Sequence, residues 1–80
     1  MTVETRILAE EAKRLKNDTA FKQFVQEVRD RQVQAFANSA AEDVSAREEA
    51  HAIIRALNQI EMTLDAAISA EVMLDRNQRK

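Results

Sequence analysis

Glycine, proline, cysteine, tryptophan and tyrosine are all missing from this 80-residue chain, and three phenylalanines are its only aromatic residues. Without cysteine there is no disulfide framework and no thiolate metal site, which removes the zinc-finger readings. Without glycine there is no phosphate-cradling loop and no dinucleotide fingerprint. No window approaches the roughly 20 apolar residues of a membrane span. The opening "MTVETRILAEEAKRLK" alternates charged with apolar residues and lacks the uninterrupted apolar run of a signal peptide. The expected setting is therefore the cytoplasm, away from any membrane.

Alanine, glutamate, glutamine, arginine and lysine dominate what is present. These residues lose little freedom in a helix, so the expected fold is all-α and a single small domain over residues 1–80. The hydrophobic class makes up 45% of the chain, but its largest member is Ala, with 14 residues, leaving five Ile, five Leu, six Val, three Phe and three Met. That is a thin core for a chain standing alone.

Runs of poor helix formers divide the chain. A short first helix is expected over about residues 5–16, with Ile7, Leu8, Ala12 and Leu15 on one side and Lys13, Arg14 and Lys16 near its C-terminal, negative dipole end. The run Asn17, Asp18, Thr19 marks a break, with Asp18 as N-cap of a second helix over about 19–37. Its apolar stripe is Phe21, Phe24, Val25, Val28, Ala35 and Phe36, interrupted by Gln32. A turn is expected over about 38–45, with Asn38 taking the left-handed conformation that usually falls to glycine. Ser45 and Glu48 form S-x-x-E, a capping box for a third helix over about 46–76, and Asp43 is the other candidate cap. Along that helix Ala50, Ile53, Leu57, Ile60, Leu64, Ala67, Glu71 and Leu74 step by threes and fours, a heptad seam broken at Glu71.

A third helix of about thirty residues spans ~45 Å, against ~30 Å for the second. Folded back as a long antiparallel helical hairpin, the third overshoots the second from about Leu64 onward. Either the first helix covers the excess, giving a three-helix bundle, or another copy does, giving a bundle by self-association, and the thin core favours self-association. The expected core sets Phe21, Phe24, Val25, Val28 and Phe36 against Ile53, Leu57, Ile60 and Leu64. The expected interface is Leu64, Ile68, Val72 and Leu74.

Sites of chemistry are few. Glu48 and His51 form Glu-x-x-His, the pairing that di-iron carboxylate proteins present from a helix. With Ala50 and Ile53 in the seam, however, both project to solvent beside the turn, so Glu48 is read as a cap partner and His51 as a surface residue. Ser39, Ser45 and Ser69 share one histidine, which gives little support to a Ser-His-acid triad. Glu10 with Arg14 and Glu27 with Arg31 are i, i+4 pairs of favourable orientation on a solvated face. No enzyme, no cofactor and no metal site is expected.

Seven basic residues face six acidic ones over 1–41, two face eight over 42–75, and three face none over 76–80. An acidic long helix disfavours nonspecific nucleic-acid binding, which depends on neutralising phosphates. Lys13, Arg14 and Lys16, with Arg76, Arg79 and Lys80, are the candidates for contact with phosphate or an acidic partner. Separation of sign also suits docking of identical subunits, the basic end of one against the acidic helix of another.

From Asn17 to Glu61 the chain carries "D-x-A-F", then "VRDRQVQAF", then an acidic "AED" turn leading into "ARE" and "IRAL". In these features it resembles short all-helical proteins of tailed bacteriophages and prophages. The resemblance implies a phage origin and carries no catalytic residues. It also implies a non-enzymatic role as a virion component or assembly factor, or as a binder of a host or phage protein, in the host cytoplasm or the virion. A nucleic-acid-associated packaging or regulatory protein is the alternative, and a di-metal carboxylate protein using Glu48 and His51 ranks behind both.

Overall fold

The structure, a computed structural model, describes residues 2–78. It holds three helices, α1 (Thr2–Asn17), α2 (Thr19–Asn38) and α3 (Val44–Gln78), and no strand among the described residues. The all-helical fold follows from the composition, because every long segment is built of residues that favour a helix.

A single residue separates α1 from α2. Asp18 sits in extended backbone, at φ −76° and ψ 118°, and its carboxylate accepts the Phe21 N–H, capping α2. The Asp18 N–H meanwhile donates to the Leu15 carbonyl at 3.1 Å, so one residue closes one helix and opens the next.

The second connection departs from expectation at two places. Asn38 is the last residue of α2, and no described residue has positive φ. The chain leaves the helix through Ser39 in extended backbone, whose N–H and hydroxyl both donate to the Phe36 carbonyl. Ser45 lies inside α3, which starts at Val44, and the cap is Asp43, whose carboxylate accepts the Ala46 N–H at 3.2 Å. Asp43 wins because its position leaves the orphan amide of Ala46 within reach of its side chain. Arg47 then ties the turn together: its guanidinium donates to the carbonyls of Ala40 and Ala41, the latter at 2.9 Å. The Ala40 carbonyl also accepts the Asp43 N–H at 3.0 Å, so a backbone bond and a side chain hold the turn together.

Partners across α3 appear in reverse order along the chain. Arg6 reaches Asp75, Lys13 reaches Glu71, Lys16 reaches Asp65, and Arg29 reaches Glu61 and Asn58. α1 and α2 therefore lie end to end along α3, and their 16 and 20 residues match its 35. The length of α3 beyond α2 is met by α1 within the chain. The result is a narrow bundle of 58 × 23 × 16 Å, two helices across at each level, since a helix with its side chains is about 10–12 Å wide.

Such a bundle has a seam and no interior. Among the described residues Ala9, Ala12, Ala50 and Leu57 are the buried apolar ones, and no large side chain is fully buried. The expected core is corrected accordingly: Leu57 is buried, Phe21, Val25, Val28, Ile53 and Leu64 are half-buried, and Phe24, Phe36 and Ile60 are exposed. α1 also turns a different side inward. Ala9 and Ala12 meet α3, while Ile7 and Leu8 of the expected stripe are exposed. Two alanines one turn apart let the backbones approach closely and leave room for long charged side chains at the edge.

Candidate interaction surface

In α3 the seam row is Ala50, Leu57, Leu64 and Glu71, seven residues apart. At about 100° per residue, positions one and four beyond that row fall on one flank, and positions three beyond or one before it fall on the other. The first flank carries Asn58, Glu61, Asp65 and Asp75 beside Ile54, Ile68 and Val72, and the residues that reach its polar groups are Arg6, Lys16 and Arg29. Arg6 Nη2 is 2.7 Å from Asp75 and Arg29 Nη2 is 2.7 Å from Glu61. Glu71, in the seam itself, is the one charged residue buried among those described, at 9% exposed. Its Oε1 accepts from Lys13 Nζ at 2.7 Å, and Arg6 Nη1 stands 3.9 Å from its other oxygen. The hydrogen bond to Glu71 raises the pKa of Lys13, and the hydrogen bond to Asp75 raises that of Arg6. Glu71 thus explains the break in the heptad seam: a carboxylate stands where a leucine would and is matched from α1.

The opposite flank has another character. Ile53, Ile60, Ala67 and Leu74 form one row, and Glu49, Ala56, Thr63, Ala70 and Asn77 form the next, with its polar ends at the two ends of the helix. Arg29 marks the ion-pair side of α2 and Arg6 and Lys13 that of α1, so by the same rotation Phe24 and Val28 and Leu8 and Leu15 fall on the other side. Phe24 is 65% exposed and Ile60 47% exposed. None of the ion pairs between helices lies here.

A groove of about 330 Å³ lies at the junction of α1 and α2, lined by Lys16, Phe21, Val25, Glu61, Leu64 and Asp65 among others. It is open to solvent, and its Lys16 is already paired with Asp65.

The residues singled out from the sequence are distributed as follows. Glu48 and His51 are both exposed, and among the described residues no three His, Cys, Asp or Glu side chains gather as a metal site. Of the expected interface, Leu64, Ile68 and Leu74 are half-buried along the length of α3 that α1 covers, and Val72 is exposed. Of the basic candidates, Lys13 is paired with Glu71 and Glu10, Arg14 with Glu11, and Lys16 with Asp65. Glu10 thus pairs with Lys13 in place of Arg14, one position nearer along the helix. Arg76 is exposed near the end of α3, and Arg79 and Lys80 lie outside the described residues. Arg29 and Arg47 do structural work that helix patterning did not reveal, because Arg29 acts across the contact of α2 with α3 and Arg47 acts on carbonyls of the turn outside its own helix. No helix among the described residues is long and apolar enough to cross a membrane.

Comparison of the chain with protein-family models, with curated proteins and with solved structures found no match.

Proposed function

We propose that this chain is a small helical interaction protein of phage origin. It associates with itself and serves as a virion component or assembly factor, or binds a host or phage protein, within the host cell or the virion. It carries out no catalytic chemistry. The carrying observation is the uncovered apolar surface: Phe24, Ile60, Leu8 and Val72 are exposed in a chain whose only buried large apolar side chain is Leu57 among the described residues. Large apolar surface left in water marks a binding face more often than a monomer's ordinary exterior. The return of α3 along α1 and α2 supports a helical hairpin whose first arm is broken once, at Asp18. Such a hairpin is half of a four-helix bundle. The phage origin rests on the resemblance over Asn17 to Glu61.

The nucleic-acid reading has less support. Lys13, Arg14 and Lys16 are each committed to carboxylates, which lowers the positive charge they offer a phosphate backbone. The expected interface on Leu64, Ile68, Val72 and Leu74 is narrowed by α1, and Leu74 is its member on the ion-pair-free flank.

The test is the absolute mass of the native protein by light scattering, with metal content measured on the same sample. A metal-free oligomer is expected. A monomer would sink the self-association, and one or two metal ions per pair of chains would return attention to Glu48 and His51.

A further inference from the structure

We propose that a second copy of this chain covers the flank without ion pairs, the two chains running in opposite directions and meeting around Phe24, Ile60 and Thr63. The proposal rests on the self-association reading and names its surface and direction.

The first support is area. A compact monomer of 9.1 kDa exposes about 4,900 Å², whereas this chain exposes 6266 Å². The excess, about 1,400 Å², lies within the roughly 1,000–2,500 Å² that each partner contributes to an obligate dimer. The second is layering. A domain core forms between two packed layers of secondary structure, and among the described residues of this chain no large side chain is fully buried. A second layer from an identical chain turns half-buried Val28 and Ile53 into core. The third is chemical contrast between the flanks. Burying the ion-pair flank would strip water from Asp75, Glu61 and Arg29, which stand around its Ile54, Ile68 and Val72, whereas the middle of the opposite flank offers Phe24 and Ile60 with Ala56, Thr63 and Ala70, and its one acid on α3, Glu49, lies at the turn.

Direction follows from charge and symmetry. Residues 42–49, at the turn, hold four acids and one arginine, while the far end of α3 leads through Arg76 into a basic sequence. Opposed chains keep the two acidic turns apart, whereas parallel chains would set them side by side. In a closed two-fold dimer, surface near the axis meets its own copy. Ile60 and Thr63 straddle the middle of α3, so the axis passes between them.

The chain has no cysteine, which makes single-cysteine cross-linking clean. Thr63→Cys, Asn58→Cys, Ala56→Cys and Ala70→Cys, all at exposed positions, are made in the full chain, checked for helicity by circular dichroism and treated with a short bis-maleimide. The wild type is weighed by light scattering. Expected are a mass of twice 9.1 kDa, linkage of Thr63→Cys to itself, no linkage of Asn58→Cys, and linkage of Ala56→Cys to Ala70→Cys only when the two are mixed. A dimer in which Asn58→Cys links and Thr63→Cys does not would overturn the surface and leave self-association standing. A dimer in which Ala56→Cys and Ala70→Cys each link to themselves would overturn the direction. A wild-type mass of 9.1 kDa with no variant linking would overturn the proposal together with the self-association beneath it.

Discussion

Lys13 Nζ donates to Glu71 Oε1 at 2.7 Å, joining the first helix to the last across 58 residues of sequence. Glu71 occupies a heptad seam position, where a buried carboxylate is held in place by Lys13 and Arg6. Replacing a buried ion pair by well-packed apolar groups is often neutral or stabilising, whereas removing one partner alone is not. Glu71→Leu removes the buried member and leaves Lys13 and Arg6, both partly exposed, free to turn to water, so it is expected to retain full helicity and melt at or above the wild-type temperature. Lys13→Ala, which leaves the carboxylate with Arg6 alone at 3.9 Å, is expected to melt lower. Thermal melts of the two variants by circular dichroism check this, and a large drop for Glu71→Leu would count against it.

The same pair predicts behaviour in alkali. Its hydrogen bond to Glu71 raises the pKa of Lys13 in the folded state. A raised value means the contribution to stability is complete below the ordinary lysine pKa of about 10.4 and is lost as pH climbs through the folded value. Lys13→Arg keeps its charge throughout that window. Melting temperatures compared from pH 9 to 12 should fall further for wild type than for Lys13→Arg; parallel curves would refute the assignment.

Leu57 and Phe24 illustrate how a seam distributes stability. Leu57 is 9% exposed, and Leu57→Ala is expected to cost about 2–5 kcal/mol. Phe24 is 65% exposed, so Phe24→Ala is expected to cost within about 0.5 kcal/mol in protein dilute enough to be monomeric. Urea unfolding at two protein concentrations separates these. Under the proposed dimer, the cost of Phe24→Ala grows with concentration.

The caps give a third contrast. Asp18→Ala and Asp43→Ala each remove a carboxylate from an orphan amide and are expected to cost about 1 kcal/mol. Ser45→Ala, inside the first turn of α3, is expected to change stability by no more than about 0.5 kcal/mol. Arg47→Lys is expected to loosen the turn despite keeping the charge, because one ammonium cannot reproduce the fork that spans the Ala40 and Ala41 carbonyls. Faster amide exchange at residues 39–43 would be the readout.

Much of the local structure was legible from residue types. The absence of glycine and proline with abundant alanine and glutamate announces helix, because the choice is made residue by residue in the backbone. Asp18 as a cap was readable for the same reason, since its side chain acts three residues away. Where two caps competed, at Asp43 and Ser45, the pattern left both standing. The outcome turned on where the first helical residue falls, which the turn held by Arg47 decides.

The candidate surface was legible only in part. The row Ile53, Ile60, Ala67, Leu74 is visible as a seven-residue repeat, but nothing along the chain tells which of two adjacent rows faces α1 and α2 and which faces outward. Phe24 and Ile60 looked like core by periodicity and proved exposed, because a layer two helices across encloses a single row. What the sequence by itself determined is helix content, the break at Asp18 and the heptad repeat, all of which are set by interactions within a few residues. Tertiary structure alone decided that α1 lies in line with α2 along α3, that Glu71 is buried and matched by Lys13, and that the ion pairs between helices gather on one flank while Phe24 and Ile60 are exposed on the other. These depend on contacts between residues about 30 to 70 positions apart, whose geometry no local preference encodes.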